Sequence, residues 1–130
     1  MTQLLHPAAQ HGFSAAAELY QQVRPSYPQE IHAWLTEQLH LSANSRVIDL
    51  ASGTGKFLPY LIPHSGQLTA IEPVTEMLAQ LKLAYPQVET LQAFSDHIPL
   101  PSQSIDAVLS AQAFHWFANM DSLKEIHRVL

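Results

Sequence analysis

The feature that most constrains the fold of this chain is an alternation of strand-like and helix-like segments after residue 45. The strand-like runs are short, rich in branched and aliphatic residues, and bounded by turn formers. They are residues 46–50, 67–72, 88–93 and 105–110. Parallel neighbours in a sheet must be joined by a crossover, so strands that alternate with helices predict a parallel α/β sheet.

The predicted helices occupy the segments around these strands. Residues 14–23 contain good helix formers and end at a proline-containing turn, and a second helix follows with apolar residues at spacings of three and four. Two further helices are predicted over 56–62 and 75–85. The residues expected to face the core are Ile31, Trp34, Leu35 and Leu39 in the second helix and Met77, Leu78, Leu81 and Ala84 in the last of these.

The C-terminal segment predicts one more helix, beginning at Asp121. Ser122-Leu123-Lys124-Glu125 matches the capping box in which a serine caps the helix start and a glutamate bonds back to it. Leu123, Ile126, Val129 and Leu130 then form an apolar stripe, and the sequence ends within it.

Composition excludes several classes of function. With 130 residues a single domain is expected, and the net charge of −5 with no basic run argues against a nucleic-acid partner or an anionic membrane surface. The absence of cysteine excludes disulfides and thiolate chemistry, and no apolar run approaches the roughly 18 residues of a membrane span. The N-terminus lacks the pattern of a signal peptide, so we expect a cytoplasmic protein. Only 13% of the residues are charged, about half of the roughly 25% that is usual, which favours self-association.

A glycine-containing segment, Asp49-Leu50-Ala51-Ser52-Gly53-Thr54-Gly55, lies where the first strand is followed by a helical segment. Open α/β sheets bind ligands at this edge, beyond the carboxyl ends of the strands. Glycines there let the backbone approach a ligand closely, and the next helix offers unpaired amides. The alternative is a tight turn without a ligand.

Two other glycine loops do not fit this segment. The nucleotide-triphosphate loop needs glycine at Leu50 and a hydroxyl residue at Phe57. The dinucleotide fingerprint needs a small residue where Leu58 stands.

Glu72 closes the second predicted strand. An acidic side chain at this point of the architecture can accept hydrogen bonds from a ribose diol. The alternative is a carboxylate at the start of the following helix, where the helix dipole favours negative charge. We prefer the ribose interpretation because Glu72 occurs together with the glycine segment.

Four ordered motifs carry a family resemblance. They are V-I-D-L-A-S-G-T-G-K (47–56), A-I-E-P-V-T-E-M-L (70–78), S-D-H-I-P-L-P-S-Q-S-I-D-A-V (95–108) and A-Q-A-F-H-W-F (111–117). In order and spacing they resemble class I S-adenosylmethionine-dependent methyltransferases, especially the small-molecule branch with the ubiquinone-biosynthesis and trans-aconitate-type enzymes. The segment F-S-A-A-A-E-L-Y-Q-Q-V-R-P-S-Y-P (13–28) resembles the N-terminal segment of that branch.

The resemblance implies a cofactor, S-adenosyl-L-methionine, and a set of residues that bind it. Asp49, Gly53 and Gly55 would bind its methionine end, and Ala51 stands where the family usually has glycine, which places the backbone slightly further from the cofactor. The remaining implied cofactor contacts are Glu72 at the ribose, Val74 and Met77 at the adenine face, Ser95 and Asp96 at the adenine edge, and Gln112 near the sulfonium.

Acceptor contacts are expected from residues at both ends of the chain. Tyr20, Tyr27 and Trp116 can stabilise the sulfonium by cation–π attraction. Arg24 could meet an anionic acceptor or the cofactor carboxylate, with a solvated helix end as the alternative, and His115 could be a base or an acceptor contact, with simple packing as the alternative. The eight histidines show no metal-ligand spacing, so no metal site is expected.

Together with the alternation of strands and helices, the resemblance implies a Rossmann-like three-layer αβα sandwich with strand order 3-2-1-4, lacking the C-terminal strands of the family's sheet. The single domain, 1–130, would comprise an N-terminal helical segment, 1–41, and a core, 46–130. Its expected function is methyl transfer to a small-molecule acceptor. A self-associating module that binds the cofactor without efficient turnover and a nucleotide-binding oxidoreductase fragment are the alternatives, and Leu58 argues against the last. We also expect a homo-oligomer formed through the fourth strand and the C-terminal helix.

Overall fold

The computed structural model describes residues 28–111 and 119–130. Its four strands form one parallel sheet in the order β3-β2-β1-β4, as predicted. The elements are α1 (Ile31–Leu39), β1 (Arg46–Leu50), α2 (Leu58–Leu61), a 3-10 helix (Ile62–His64), β2 (Gln67–Ile71), α3 (Thr75–Ala84), β3 (Glu89–Leu91), β4 (Ala107–Leu109) and α4 (Met120–Val129).

Strand β1 lies at the centre of the sheet and is buried on both faces. It pairs with β2 from Arg46 opposite Gln67 to Leu50 opposite Ile71, and with β4 through Val47 opposite Ala107. Because both faces are covered, the neighbouring residues Val47 and Ile48, which point to opposite faces, are both aliphatic and buried.

Two apolar clusters cover the two faces of the sheet. One joins α1, α2 and α3 to the sheet and includes Leu35, Val47, Leu58, Leu61 and Leu81. The other joins the β3–β4 connection and α4 to the sheet and consists of Ile48, Leu50, Ile71, Ile98, Ile105 and Val129. Burial of each large aliphatic side chain contributes roughly 1.5–3 kcal/mol. These clusters give the three-layer arrangement that the sequence predicts.

The outer ends of three strands differ from the prediction. Strand β2 ends at Ile71 rather than at residue 72, β3 spans Glu89–Leu91 rather than 88–93, and β4 spans Ala107–Leu109 rather than 105–110. At the start of β4 the reason is visible, because the amide of Ile105 donates to the carbonyl oxygen of Val129 in α4 (3.0 Å) and not to a neighbouring strand.

Three helical predictions need correction. Helix α2 begins at Leu58 rather than at residue 56, since residues 53–57 form turns and Pro59, which lacks an amide hydrogen, suits only the first turn of a helix. In α1 only Leu35 is buried, whereas Trp34 is 50% and Leu39 37% exposed. In α3 Met77, Leu78 and Leu81 are buried, but Ala84 is exposed.

The capping box prediction at the start of α4 is wrong. The cap is Asn119, whose side-chain oxygen accepts a hydrogen bond from the amide of Ser122 (2.9 Å), and Ser122 lies inside the helix. Asparagine is as good a cap as serine, so the earlier polar residue begins the helix. Of the predicted stripe, Val129 is buried and Ile126 half-buried, but Leu123 and Leu130 are about half exposed.

The predicted helix over 14–23 lies outside the described residues, as does most of the predicted N-terminal segment 1–41. Across 28–111 and 119–130, no helix has the length and apolar character that crossing a membrane requires.

Candidate functional site

The polypeptide turns sharply where β1 ends. Ala51, Gly53 and Gly55 all have positive φ values, 57°, 63° and 92°, in the left-handed region. Glycine adopts this region without a steric penalty, whereas an alanine there is strained. The amide of Ser52 donates to the carbonyl oxygen of Ile71 at the end of β2 (2.9 Å), which fixes the loop above the carboxyl edge of the sheet.

Glu72 joins this loop to the start of α3. One carboxylate oxygen accepts from the amide of Gly53 (2.8 Å) and the other from the amide of Val74 (2.9 Å), the residue that precedes α3. The side chain is only 3% exposed, and burial raises the pKa of this carboxyl to about 7, although both backbone hydrogen bonds act in the opposite direction.

The contact with Val74 gives the helix-start interpretation of Glu72 a direct observation. It does not displace the ribose interpretation, because each carboxylate oxygen has two lone pairs and uses one on a backbone amide. A carboxylate held by two amides is therefore oriented and keeps capacity for two further donors.

Asp49 and Thr54 complete the polar part of the loop. Asp49 is 1% exposed, and one of its carboxylate oxygens accepts from the Ser52 hydroxyl (2.5 Å). The Thr54 hydroxyl is fully buried and, in the part of the chain described, has no hydrogen-bond partner. A buried hydroxyl without a partner is a group that a bound ligand or water can satisfy.

Packing inside the protein also favours glycine at position 55. A Cβ at this position would lie 3.0 Å from Cε2 of Tyr85 and 3.1 Å from Cδ1 of Leu58. We expected the glycine to leave room for a ligand. The structure gives a second reason, which is that the Tyr85 ring occupies the space.

The start of α3 carries two buried apolar side chains close in sequence to Glu72. Val74 and Met77 are 3% and 1% exposed. Gln92, which follows β3, donates from its amide nitrogen to the Thr75 hydroxyl (2.8 Å) and to the carbonyl oxygen of Pro73 (3.1 Å). The ends of β2 and β3 and the start of α3 are thus joined at one edge of the sheet.

Ser95 and Asp96 lie in a turn that follows β3. The Ser95 hydroxyl is buried and lies 2.6 Å from the Ser122 hydroxyl of α4, so its closest polar partner belongs to the protein. Asp96 is half-buried, and burial raises the pKa of its carboxyl. The implied adenine-edge role of this pair stays a prediction.

Six of the predicted site residues, Tyr20, Arg24, Tyr27, Gln112, His115 and Trp116, lie outside the described residues. Sequence reasoning also missed groups that the structure places at this edge. Ser52 and Thr54 stand inside the quoted motif and could have been found from it, because hydroxyl residues between glycines are candidates for local hydrogen bonds. The role of Gln92 could not be found in this way, since its partners come from another element.

The comparisons with known proteins agree with this geometry. A family model described as a methyltransferase domain matches residues 48–130. An uncharacterised methyltransferase-like protein of Schizosaccharomyces pombe is 41% identical over 112 residues, which cover 85% of this chain and 44% of that protein. The chain belongs to the methyltransferase domain family.

Two further similarities extend this result. A demethylmenaquinone methyltransferase of Chlorobaculum tepidum is 29% identical over 96 residues, covering 72% of this chain and 40% of that enzyme. The crystal structure of an S-adenosyl-L-methionine-dependent methyltransferase from Methanococcus maripaludis matches with a TM-score of 0.76 at 19% identity, covering 100% of this chain and 63% of that one, and it shows the fold. The chain spans less than half the length of these two curated relatives.

S-adenosyl-L-methionine is the cofactor of this methyltransferase family, and the described residues fit it. Glu72 is oriented by two backbone amides and keeps lone pairs for a diol, and within the described residues the Thr54 hydroxyl is buried without a partner. Val74 and Met77 are buried apolar side chains, and their contact with the adenine ring stays a prediction. The turn at Ala51–Gly55 follows the carboxyl end of β1 and bonds to the end of β2 through Ser52, at the edge of the sheet where α/β folds bind ligands.

Proposed function

We propose that this methyltransferase domain binds S-adenosyl-L-methionine at the carboxyl edge of its sheet and takes part in methyl transfer to a small-molecule acceptor. The observation that carries the proposal is the carboxylate bridge of Glu72, with Oε1 bonded to Gly53 and Oε2 to Val74. This bridge fixes the Glu72 carboxylate between the glycine loop and the start of α3, where it can accept hydrogen bonds from the ribose diol.

Each part of the edge has a role in this proposal. The Ala51–Gly55 loop, with Asp49 beneath it, binds the methionine end, and Glu72 accepts from the ribose hydroxyls. Val74 and Met77 pack against the adenine ring, with Ser95 and Asp96 at its edge. When bound, the cofactor supplies a sulfonium methyl that is already electrophilic, so the protein mainly aligns the reactants and excludes water. The proposed contacts of the sulfonium and the methyl acceptor are Gln112, Tyr20, Arg24, Tyr27, His115 and Trp116.

A small acceptor is supported by two observations. One relative is named for its action on demethylmenaquinone, which is neither a protein nor a nucleic acid. The net charge of −5 without a basic run lacks the pattern of a nucleic-acid binder. We further propose that the protein acts in the cytoplasm and as a homo-oligomer formed through β4 and α4.

The second candidate is a module that binds the cofactor without efficient turnover. It requires only the edge of the sheet formed by the Ala51–Gly55 loop, Glu72 and the start of α3, which the described residues contain. Catalysis additionally requires the acceptor to be held in line with the methyl group and shielded from water. Formation of S-adenosylhomocysteine with candidate carboxylate and quinone-precursor acceptors separates the two candidates.

Cofactor binding is tested by calorimetric titration with S-adenosyl-L-methionine, S-adenosylhomocysteine and NAD. We expect the two adenosyl compounds to bind more tightly than NAD, because Leu58 is fully buried where the dinucleotide turn needs a small residue. We expect Glu72→Ala to weaken their binding by about 1–3 kcal/mol, the contribution of a charge-assisted hydrogen bond. Glu76→Ala, an exposed glutamate in the first turn of α3, is the matched control.

Two results would contradict the proposal. One is NAD binding as tight as that of the adenosyl compounds. The other is unchanged binding in a folded Glu72→Ala variant. If the alanine variant does not fold, Glu72→Gln, which keeps the size of the side chain but removes its charge, replaces it in the titration.

A further inference from the structure

The connection between β3 and β4 is bound to one face of α4. Residues 94–104 contain no helix or strand, so their backbone groups need partners from elsewhere. Helix α4 bonds to this backbone through the side chains of Glu125 and Arg128, and its Ser122 hydroxyl bonds to a side chain of the connection. These residues are spaced by three, and residues three apart are neighbours on a helix surface.

The central contact is a clamp on the backbone of Ile98. Its amide donates to Oε2 of Glu125 (2.6 Å), and its carbonyl oxygen accepts from Nη2 of Arg128 (2.9 Å). The two side chains of the clamp also bond to each other, with Nε of Arg128 2.7 Å from Oε1 of Glu125 and Nη2 3.0 Å from Oε2. Because the Ile98 side chain is 2% exposed within the core, this residue is fixed through its amide, its carbonyl and its side chain.

Further contacts hold the connection on both sides of this clamp. Before it, the hydroxyls of Ser95 and Ser122 lie 2.6 Å apart. After it, Nη1 of Arg128 donates to the Ser102 hydroxyl (3.2 Å), and the amide of Gln103 donates to the carbonyl oxygen of Arg128 (2.9 Å). Arg128 therefore contacts the connection at three residues.

Asp96 lies between two of these fixed points. Ser95 is joined to α4 next to it in sequence, and Ile98 is clamped two residues later. The turn between them is closed by the amide of His97, which donates to the carbonyl oxygen of Phe94 (3.2 Å). The position of the Asp96 main chain thus depends on α4.

We propose that Glu125 and Arg128 are positioning residues for recognition of the adenine edge. By clamping Ile98 they hold the turn of Ser95 and Asp96, so that a polar group of this turn can accept a hydrogen bond from the exocyclic amine of adenine. The inference rests on the proposed cofactor binding. It adds that specificity for adenine is set from α4, by two residues that need not touch the cofactor.

The test compares S-adenosylhomocysteine with S-inosylhomocysteine, in which a carbonyl oxygen replaces the exocyclic amine. We expect the wild-type protein to bind the adenosyl compound more tightly. We expect Arg128→Met, which keeps an apolar stem but removes the guanidinium, to reduce this preference by about fivefold, roughly what one hydrogen bond contributes. A purely structural role would weaken both compounds equally and leave their ratio unchanged.

The matched control is Arg46→Met. Arg46 also forms a two-point pair with a carboxylate, Asp106 (3.0 Å), but it lies at the start of β1, at the opposite edge of the sheet. We expect this variant to keep the wild-type ratio. Glu125→Gln, which retains an oxygen for the Ile98 amide, is expected to keep more of the preference than Glu125→Leu.

The outcomes separate this inference from the proposed function. If the wild-type protein binds neither compound, the proposed function fails and this inference with it. If it prefers the adenosyl compound and folded Arg128→Met keeps the full preference, only the inference is overturned. Should Arg128→Met not fold, Arg128→Lys, which retains one donor group but not the planar fork, gives the same comparison.

Discussion

At the residue scale, Ala51 is one of three non-glycine residues with a positive φ among the described residues. Its φ of 57° lies in the left-handed region, where an L-residue with a Cβ loses roughly 1–2 kcal/mol relative to the right-handed region. Glycine avoids this penalty but has more freedom in the unfolded chain. We therefore expect Ala51→Gly to raise the free energy of unfolding by about 0.5–1 kcal/mol, measured by urea denaturation.

His40→Gly is the matched control for this substitution. His40 also has a positive φ, 55°, but follows α1, away from the loop after β1. It should gain stability to a similar extent. If Ala51→Gly is less stable than the wild type while His40→Gly is more stable, the alanine methyl makes contacts that outweigh its strain.

Glu72 predicts a specific pH dependence of stability. Its pKa in the folded protein is about 7, above the 4.5 of an ordinary glutamate, so between these values the folded protein holds a proton that the unfolded chain has released. The free energy of unfolding therefore falls as the pH rises through this window, by roughly 3 kcal/mol from this group. The measurement is urea denaturation of the wild type and Glu72→Gln at several pH values.

The difference in unfolding free energy between these two proteins isolates the titration of Glu72. We expect the wild type to lose stability relative to Glu72→Gln as the pH rises from 4.5 to 7. Glu76→Gln, which changes an exposed glutamate four residues later, is the matched control for the loss of a carboxylate. A constant difference for Glu72→Gln would mean that the carboxyl titrates normally in the fold.

Single residues were predictable where their role is local. Positive φ at Gly53 and Gly55 follows from a glycine turn between a strand and a helix. The packing of Tyr85 against Gly55 does not, because Tyr85 is thirty residues away in sequence and reaches the loop only through the fold. Likewise, nothing in the sequence near Ser95 indicates that its hydroxyl bonds to Ser122.

At the element scale, the start of α4 provides a test of helix capping. Asn119 accepts from the amide of Ser122 (2.9 Å), and loss of such a cap costs about 1 kcal/mol. We expect Asn119→Ala to lower the free energy of unfolding by this amount and Asn119→Asp to retain most of it. Asn44→Ala, at an exposed turn residue, is the control, and equal effects of the two alanine variants would contradict the assignment of the cap.

Strand centres were predicted better than strand ends. The aliphatic runs of β1 and β2 identify the strands because their side chains are buried on both faces of the sheet. Strand β3 has only β2 as a neighbour among the described residues and keeps three residues of the six expected. Strand ends depend on which partner each amide finds, and the Ile105 amide finds α4, which the local sequence does not reveal.

At the scale of the whole molecule, the strand order follows from the alternation of strands and helices together with the family motifs. The covering of both faces also follows, since the strands are aliphatic on both sides. The way in which α4 holds the β3–β4 connection was not predictable, because Ser122 and Glu125 match a capping box by sequence but bond to Ser95 and Ile98 in the fold.

The surface beside β4 leads to the last prediction, which is self-association. Within the described residues β4 pairs only with β1, which leaves the backbone groups of its other edge without a neighbouring strand. Leu123 and Leu130 of α4 are 47% and 49% exposed, and exposed apolar side chains beside an open edge favour an interface.

We expect light scattering at micromolar concentration to show a dimer or larger oligomer, and the double variant Leu123→Lys/Leu130→Lys to shift it toward the monomer. Leu83→Lys, at a leucine of α3 that is 80% exposed, should leave the oligomer unchanged. A monomeric wild type, or an equal shift by Leu83→Lys, would show that β4 and α4 do not form the interface.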